Sequence, residues 1–423
     1  MRGTRERVSY LLLSVTGGVI FQVAYIRFVF LEPTYRALHL TAQEYGAIMS
    51  VFGAVAAVMY FAGGWFASRF PPRALIVLAL LGTGAADLYL TTVPGYGGVL
   101  AAHVVMAVAG MALYWPALVR VIGSLGQARQ QGRLFGFLEA IRGITSTAIG
   151  AIGALLVSNA LAPETGVLRL IGIYGVLCVL LAVLVWFVLG NRERGVPATT
   201  GTLSFAVLAA AVRNKYTWLL GGSIMLMYCF YTTLGYFSPL LEHRFGLGLG
   251  LIGIIGVVRT YVFQFLAGPV GGFCVDKLTG STPKFLRLTF AGAAVCVALF
   301  LVLPERAELW WAALVLMFVL SAMVFTSRGV YWASITEARI PEQQRAGVIG
   351  LASGLAYLPD AFLPALSAWW IGDPSTNTAP HGGYGALFGA LTVAGLLGLL
   401  LTTLTVRAQR RESAPEPAPE PVA

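Results

Sequence analysis

Five arginines and three acids stand in the most apolar stretches of this chain. Arg142 follows Glu139 by three residues inside GRLFGFLEAIRGITSTAIGAIGALL (132–156), so a helix would carry both on one face. Arg27, Arg120, Arg259 and Arg328 lie in similar surroundings, as do Asp87 and Asp360. An ionised side chain at bilayer depth costs from about 2.5 kcal/mol upward, so each must face a partner or a wet cavity. Arginine cannot escape that cost by losing its proton. Five fixed cations against three acids leave a positive interior, which favours a small anionic substrate: a guanidinium from each side can grip one carboxylate, sulfonate or phosphate in bidentate fashion.

The elements that must position these groups are membrane spans. The 423 residues are 58% hydrophobic and only 11% charged, far from the balance of a soluble domain. Runs of about 20 apolar residues, enough to cross a hydrocarbon core, fall at 9–31, 44–66, 74–93, 99–122, 134–158 and 167–189, and again at 217–238, 249–270, 285–303, 309–333, 346–371 and 384–405. An all-α membrane protein with twelve transmembrane helices in two six-helix bundles is expected. The domains are 1–190, a cytoplasmic linker 191–216, a second bundle 217–406 and a disordered cytoplasmic tail 407–423 that ends in RRESAPEPAPEPVA. Within the linker, LSFAVLAAAVRNK (203–215) is amphipathic enough to lie along the interface.

Lys and Arg set the orientation. Nineteen basic residues, from Arg2, Arg5 and Arg7 through Arg129, Arg133, Arg192, Arg194 and Arg339 to Arg411, gather on the side of the termini, against Arg36, Arg169, Arg244 and Arg306 on the other. Both termini of this multi-pass chain are therefore expected in the cytoplasm. That distribution also accounts for the net charge of +10 without a nucleic-acid partner.

The two halves echo each other. GGWFASRFPPR (63–73) has a counterpart in GGFCVDKLTG (271–280), and ARQQGRLFG (128–136) in PEQQRAGVIG (341–350). Parallel six-span repeats are a transporter architecture with substrate near the midplane. The layout and the loop pattern G-x-x-x-D-[RK]-x-x-[GR] resemble the major facilitator superfamily over essentially the whole chain. Gly272, Asp276 and Lys277 keep the pattern in the second half. Gly64, Arg69 and Arg73 keep it in the first, where Ser68 stands in place of the usual Asp of the gating loop. TTVPGYGG, QQGRLFGFLEAIRG and SRGVYWASITEARI are similar to the bacterial YihN-type permeases. The superfamily resemblance implies that the fifth and eighth spans face each other across the halves.

By a rise of about 1.5 Å per residue, Arg142 and Arg259 lie roughly 12 and 15 Å into those spans, near the midplane. Both are candidate substrate contacts, although Glu139 can simply neutralise Arg142. Arg328 shares a polar and aromatic stripe with Ser321, Tyr331 and Trp332 that either lines a pathway or packs. Arg27 contacts substrate or snorkels, and Arg120 is structural. Asp360, in ASGLAYLPDAFLP with Ser353 and Tyr357 on its face and Pro359 and Pro364 breaking the helix, is either a proton-coupling acid or one half of a permanent ion pair with an arginine. Glu139 and Asp87 are further acids for coupling, with a structural contact between Asp87 and His103 favoured over a relay.

No P-loop and no pairing of a nucleophile with a base occurs, which argues against an ATP-driven pump and an enzyme. Cys178, Cys229, Cys274 and Cys296 have neither disulfide nor zinc spacing, so no cofactor or metal is expected. The expected function is secondary transport of a small organic anion by a monomer, through proton symport or anion exchange. The alternatives are a polyspecific exporter of hydrophobic or cationic compounds and a non-transporting receptor or scaffold.

Overall fold

The computed structural model describes residues 4–125, 131–189, 205–338, 340–375 and 381–413. Arg2, Arg129, Arg192, Arg194, Arg339, the linker residues 191–204 and the tail residues 414–423 lie outside the described residues, as do the side chains of Arg5 and Arg133. Eleven described helices are long and apolar enough to cross a membrane. They are span 2 (Ala42–Arg69), span 3 (Pro72–Leu90), span 4 (Gly95–Ser124), span 5 (Gln131–Ser158), span 6 (Pro163–Val188), span 7 (Lys215–Phe245), span 8 (Leu249–Thr279), span 9 (Thr282–Val302), span 10 (Ala307–Val330), span 11 (Glu342–Ala356 continuing in Leu363–Ile371) and span 12 (Gly383–Ser413). Span 1 is the twelfth. It is discontinuous, with helices Thr4–Val19 and Arg27–Ala37 joined by turns, so neither piece alone has spanning length.

Local chemistry sets the ends. Thr41 and Glu44 form a reciprocal capping box at the start of span 2, and Gly246 takes the left-handed conformation (φ 70°) that stops span 7. Pro72, Pro163 and Pro283 sit in the first turns of spans 3, 6 and 9, where no backbone donor is lost. Leu78, Leu180, Phe187, Val295 and Leu400 point outward, as suits a surface whose solvent is lipid.

The same pairings occur in both halves: span 3 packs on span 6 as span 9 does on span 12, and span 1 on span 5 as span 7 does on span 11. Across the halves, span 1 meets span 7, span 2 meets span 11, and span 5 meets span 8. Glycines permit these approaches. A Cβ on Gly150 would run into the Tyr261 ring, and a Cβ on Gly53 would collide with the backbone carbonyl of Asp360. The buried core at the end remote from the termini draws on both halves, with Phe28, Tyr45 and Phe52 from one and Phe230, Phe237 and Phe300 from the other.

Overpacking of about 1–3 kcal/mol at such a contact shifts a two-state equilibrium by one to two powers of ten. Gly53→Val is expected to hold the remote end open. Alkylation of a cysteine placed at buried Met49 should then be much faster than in the parent. Equal rates would show that the Gly53 contact does not hold that end shut.

One expectation needs correction. Residues 407–413 continue the helix of span 12 rather than beginning a disordered tail, because Glu412 receives the Tyr216 hydroxyl at 2.7 Å and pairs with Lys215 at 2.7 Å. The amphipathic linker piece forms the helix Phe205–Arg213 and packs on the starts of spans 7 and 11. The Trp218 indole and the Thr217 hydroxyl tie down its last carbonyls.

Candidate substrate cavity and gate

A cavity of about 920 Å³ lies between the halves. Its walls come from the middle of the molecule and from the end nearer the termini: Gly17 to Tyr25 and Phe28 of span 1, Tyr60, Trp115, Gly136 to Ser146 of span 5, Tyr228 and Tyr231, Thr260 to Pro269 of span 8, Phe325 to Trp332 at and just past the end of span 10, and Tyr357. Aromatic rings dominate it. Tyr60 stacks on Tyr357 with centroids 5.6 Å apart, and Tyr357 meets Tyr228 edge-on at 5.1 Å.

Among the described residues, three charged side chains face this space: Arg328, Arg142 and Glu139. Arg142 gives Nη1 to Glu139 Oε1 at 2.5 Å and Nε to the carbonyl of Gly17 at 3.2 Å, and lies over the Trp115 ring. Arg328 is different. Its guanidinium rests on the Tyr231 ring at 3.8 Å, and among the described residues no carboxylate comes within ion-pairing distance of it. Tyr331, Trp332 and Tyr357 stand beside it in the wall, whereas Ser321 is turned away and gives its hydroxyl to the Met317 carbonyl.

Arg259 does not line the cavity. It is fully buried in a π-helical turn, Val258–Val262, and donates to the carbonyls of Phe28 in span 1 and Leu234 in span 7. Those carbonyls belong to irregular backbone, with Phe30 outside helical φ/ψ and Leu234 opening a 3₁₀ turn. Broken helices survive in a membrane only where other groups satisfy the freed polar atoms, and Arg259 does so for two spans at once. Gln22 serves the break in span 1 likewise, giving its amide to Gly18 O at 2.8 Å and accepting the Tyr261 hydroxyl at 2.7 Å.

On the remote side of the cavity the halves are latched. Arg27 donates to Asp360 at 2.9 Å, Tyr228 donates to the other carboxylate oxygen at 2.6 Å, and the Thr232 hydroxyl completes the shell. Arg27 is 4% and Asp360 6% exposed, so in this conformation the pair is shut away from water. Pro359 and Pro364 produce the break in span 11 that turns Asp360 inward. A second layer lies further out, where Glu32 accepts from Arg36 and His243 at 2.6 Å each.

The expected Asp87–His103 contact does not form. Asp87 packs toward span 6, with Gly175 closing on it and Oδ1 without a hydrogen-bond partner among the described residues, while the ring of His103 hydrogen-bonds Val99 O and stands edge-on to Tyr45 and Phe52. The two side chains leave their antiparallel spans in different directions. Arg120 ties span 4 to the Ala67 carbonyl at the end of span 2. In the loop motif expected to gate, Arg69 lies over Trp65 and Arg73 over Trp186. The Ser68 hydroxyl stays within its own helix, bonded to the Trp65 carbonyl, and Gly64 lies in the last two turns of span 2. Gly272 sits in span 8, while Asp276 and Lys277 are exposed in its last, π-helical turn and form no ion pair among the described residues.

Residues 12–364 match the family model of the Major Facilitator Superfamily. The chain belongs to that superfamily. It is a multi-pass inner-membrane transporter, not an enzyme. It is 30% identical to the inner membrane protein YihN of Escherichia coli (strain K12) over 405 residues, 94% of each chain. It is 23% identical to a probable L-galactonate transporter of the same organism, over 78% of this chain and 76% of that one. Among solved structures it resembles a bacterial homologue of the human lysosomal transporter Spinster, crystallised inward-facing and unoccupied. The TM-score is 0.75 at 14% identity, covering 99% of this chain and 100% of that one.

Sequence reasoning missed most of the cavity wall. Tyr25, Tyr60, Tyr228, Tyr231 and Tyr261 look like ordinary core aromatics. Gln22 and Gln264 did carry a signal, since an uncharged amide inside a span needs a partner or water just as an arginine does.

Proposed function

We propose that this transporter moves a small organic anion by alternating access, with Arg328 as the cation that takes its negative group. The observation that carries this is a cavity-facing guanidinium that no carboxylate among the described residues pairs with. A planar fork stacked on a ring is pre-organised for two parallel bonds to one oxyanion. The relative described as a probable L-galactonate transporter supports the same substrate class. An exporter of cations would need the reverse balance, yet Asp360 is turned to Arg27 outside the cavity wall and Glu139 is held by Arg142.

Basic residues crowd the end that carries the termini, so that end is cytoplasmic in this reading and the conformation is inward-facing. Tyr228 is the hinge between substrate and gate, because it lines the cavity and also hydrogen-bonds Asp360. Coupling to protons runs through Asp360 if it occurs, since its carboxylate is freed only when the latch opens; exchange of anions requires Arg328 alone. Counterflow in proteoliposomes with carboxylates, sugar acids, sulfonates and phosphate esters tests the substrate class. Uptake of at least one of these anions is expected, and a protein that moves none of them but moves organic cations would overturn the assignment.

A further inference from the structure

We propose that Glu139 limits the cavity to substrates carrying a single negative charge. The inference rests on the anion reading above and adds to it a rule about charge number. Among the described residues the wall holds two cations and one anion, and every other lining side chain is uncharged. Glu139 and Arg142 cancel at 2.5 Å, which leaves the net charge of the cavity at that of Arg328. A monoanion brings that balance to zero. A dianion leaves a surplus negative charge among aromatic walls, where low polarisability makes it costly.

Nor is the pair needed to hold the helix together. The Glu139 side chain is 52% exposed, and Arg142 has a second anchor in the Gly17 carbonyl and a third in the Trp115 ring. Its place in the wall is therefore electrostatic. Without the carboxylate, Arg142 would offer its free edge to a second oxyanion on the opposite side from Arg328, since the two arginines come from spans 5 and 10 in different halves. Thr260 and Gln264 line the space between without a side-chain hydrogen bond among the described residues, so hydroxyl groups on the substrate would be met there.

Two readouts test the rule. The first is the ratio of modification rates at Ser146→Cys, a cavity position, by a singly negative and a neutral methanethiosulfonate reagent. Glu139→Gln is expected to raise the negative-to-neutral ratio by about threefold or more, Arg142→Gln to lower it, and the double variant to return it to the parent value. The second is counterflow of gluconate against glucarate, six-carbon acids with one and two charges. The parent should prefer gluconate, and Glu139→Gln should shift the preference toward glucarate by about tenfold. Unchanged ratios in Glu139→Gln, or a parent that takes the two acids alike, would overturn the charge rule and leave anion transport standing. Shifted reagent ratios in a protein that moves no anion would instead overturn the transport reading while the electrostatic balance held.

Discussion

Arg328→Gln is expected to abolish anion counterflow, by about a hundredfold or more, in a protein that still folds. Glutamine keeps a donor and much of the length, but it removes the charge that meets the substrate's own. A hydrogen bond to a charged group contributes about 1.5–3 kcal/mol net, and each 1.4 kcal/mol is a factor of ten. Losing one or two such bonds in a cavity walled by rings accounts for the size of the effect. Stability should change little, because Arg328 touches Tyr231 and the cavity rather than a buried acid. Arg328→Lys should retain a fraction of transport, since it restores the charge without the planar fork. Thermal melting of both variants beside the uptake assay separates folding from binding. Parent-like uptake by Arg328→Gln would remove the central residue of the proposal.

The second large effect belongs to the latch. Asp360→Asn leaves Arg27 buried without its counter-charge, and removing one partner of a buried pair costs about 3–5 kcal/mol. That cost falls on the conformation in which the remote end is closed, because Arg27 is shut away from water in it. The population should move by about two powers of ten or more toward the opposite conformation. Labelling at Met49→Cys would report it as a rise, with transport falling at the same time. Replacing both partners with apolar residues, as Arg27→Met with Asp360→Leu, should bring labelling back down, since a well-packed apolar pair substitutes for a buried ion pair without penalty. Transport should stay lost. If Asp360→Asn labels like the parent and accumulates substrate on a proton gradient as well as the parent does, Asp360 neither latches the halves nor carries the proton.

The contrast between these two arginines shows where sequence reading stops. Arg27, Arg142, Arg259 and Arg328 are alike in type and in surroundings along the chain, and each demands a partner by the same physical rule. What each one found depended on residues far away in sequence. Arg27 met Asp360 across 333 positions, and Arg259 met Phe28 across 231. Arg259 has no local acid and therefore looked the most available of them, yet two broken helices had already claimed it. Backbone carbonyls leave no trace in a sequence, so an arginine held by them looks unpartnered until the fold is known. The break in span 1 is equally silent, because residues 19–32 contain neither Gly nor Pro.

Composition and apolar run length were enough to determine that the chain crosses a membrane many times, because burying backbone in lipid leaves the helix as the one local solution and sets its length. The paired loop signatures were enough to reveal two related halves, since repeats are written residue by residue. The identity of the cation left over for a substrate was decided by tertiary structure alone. Charge neutralisation acts through space over a few ångströms, and it was the packing of spans 1, 5, 7, 8, 10 and 11 that gave three arginines their partners and left Arg328 facing the cavity with no carboxylate among the described residues to pair with.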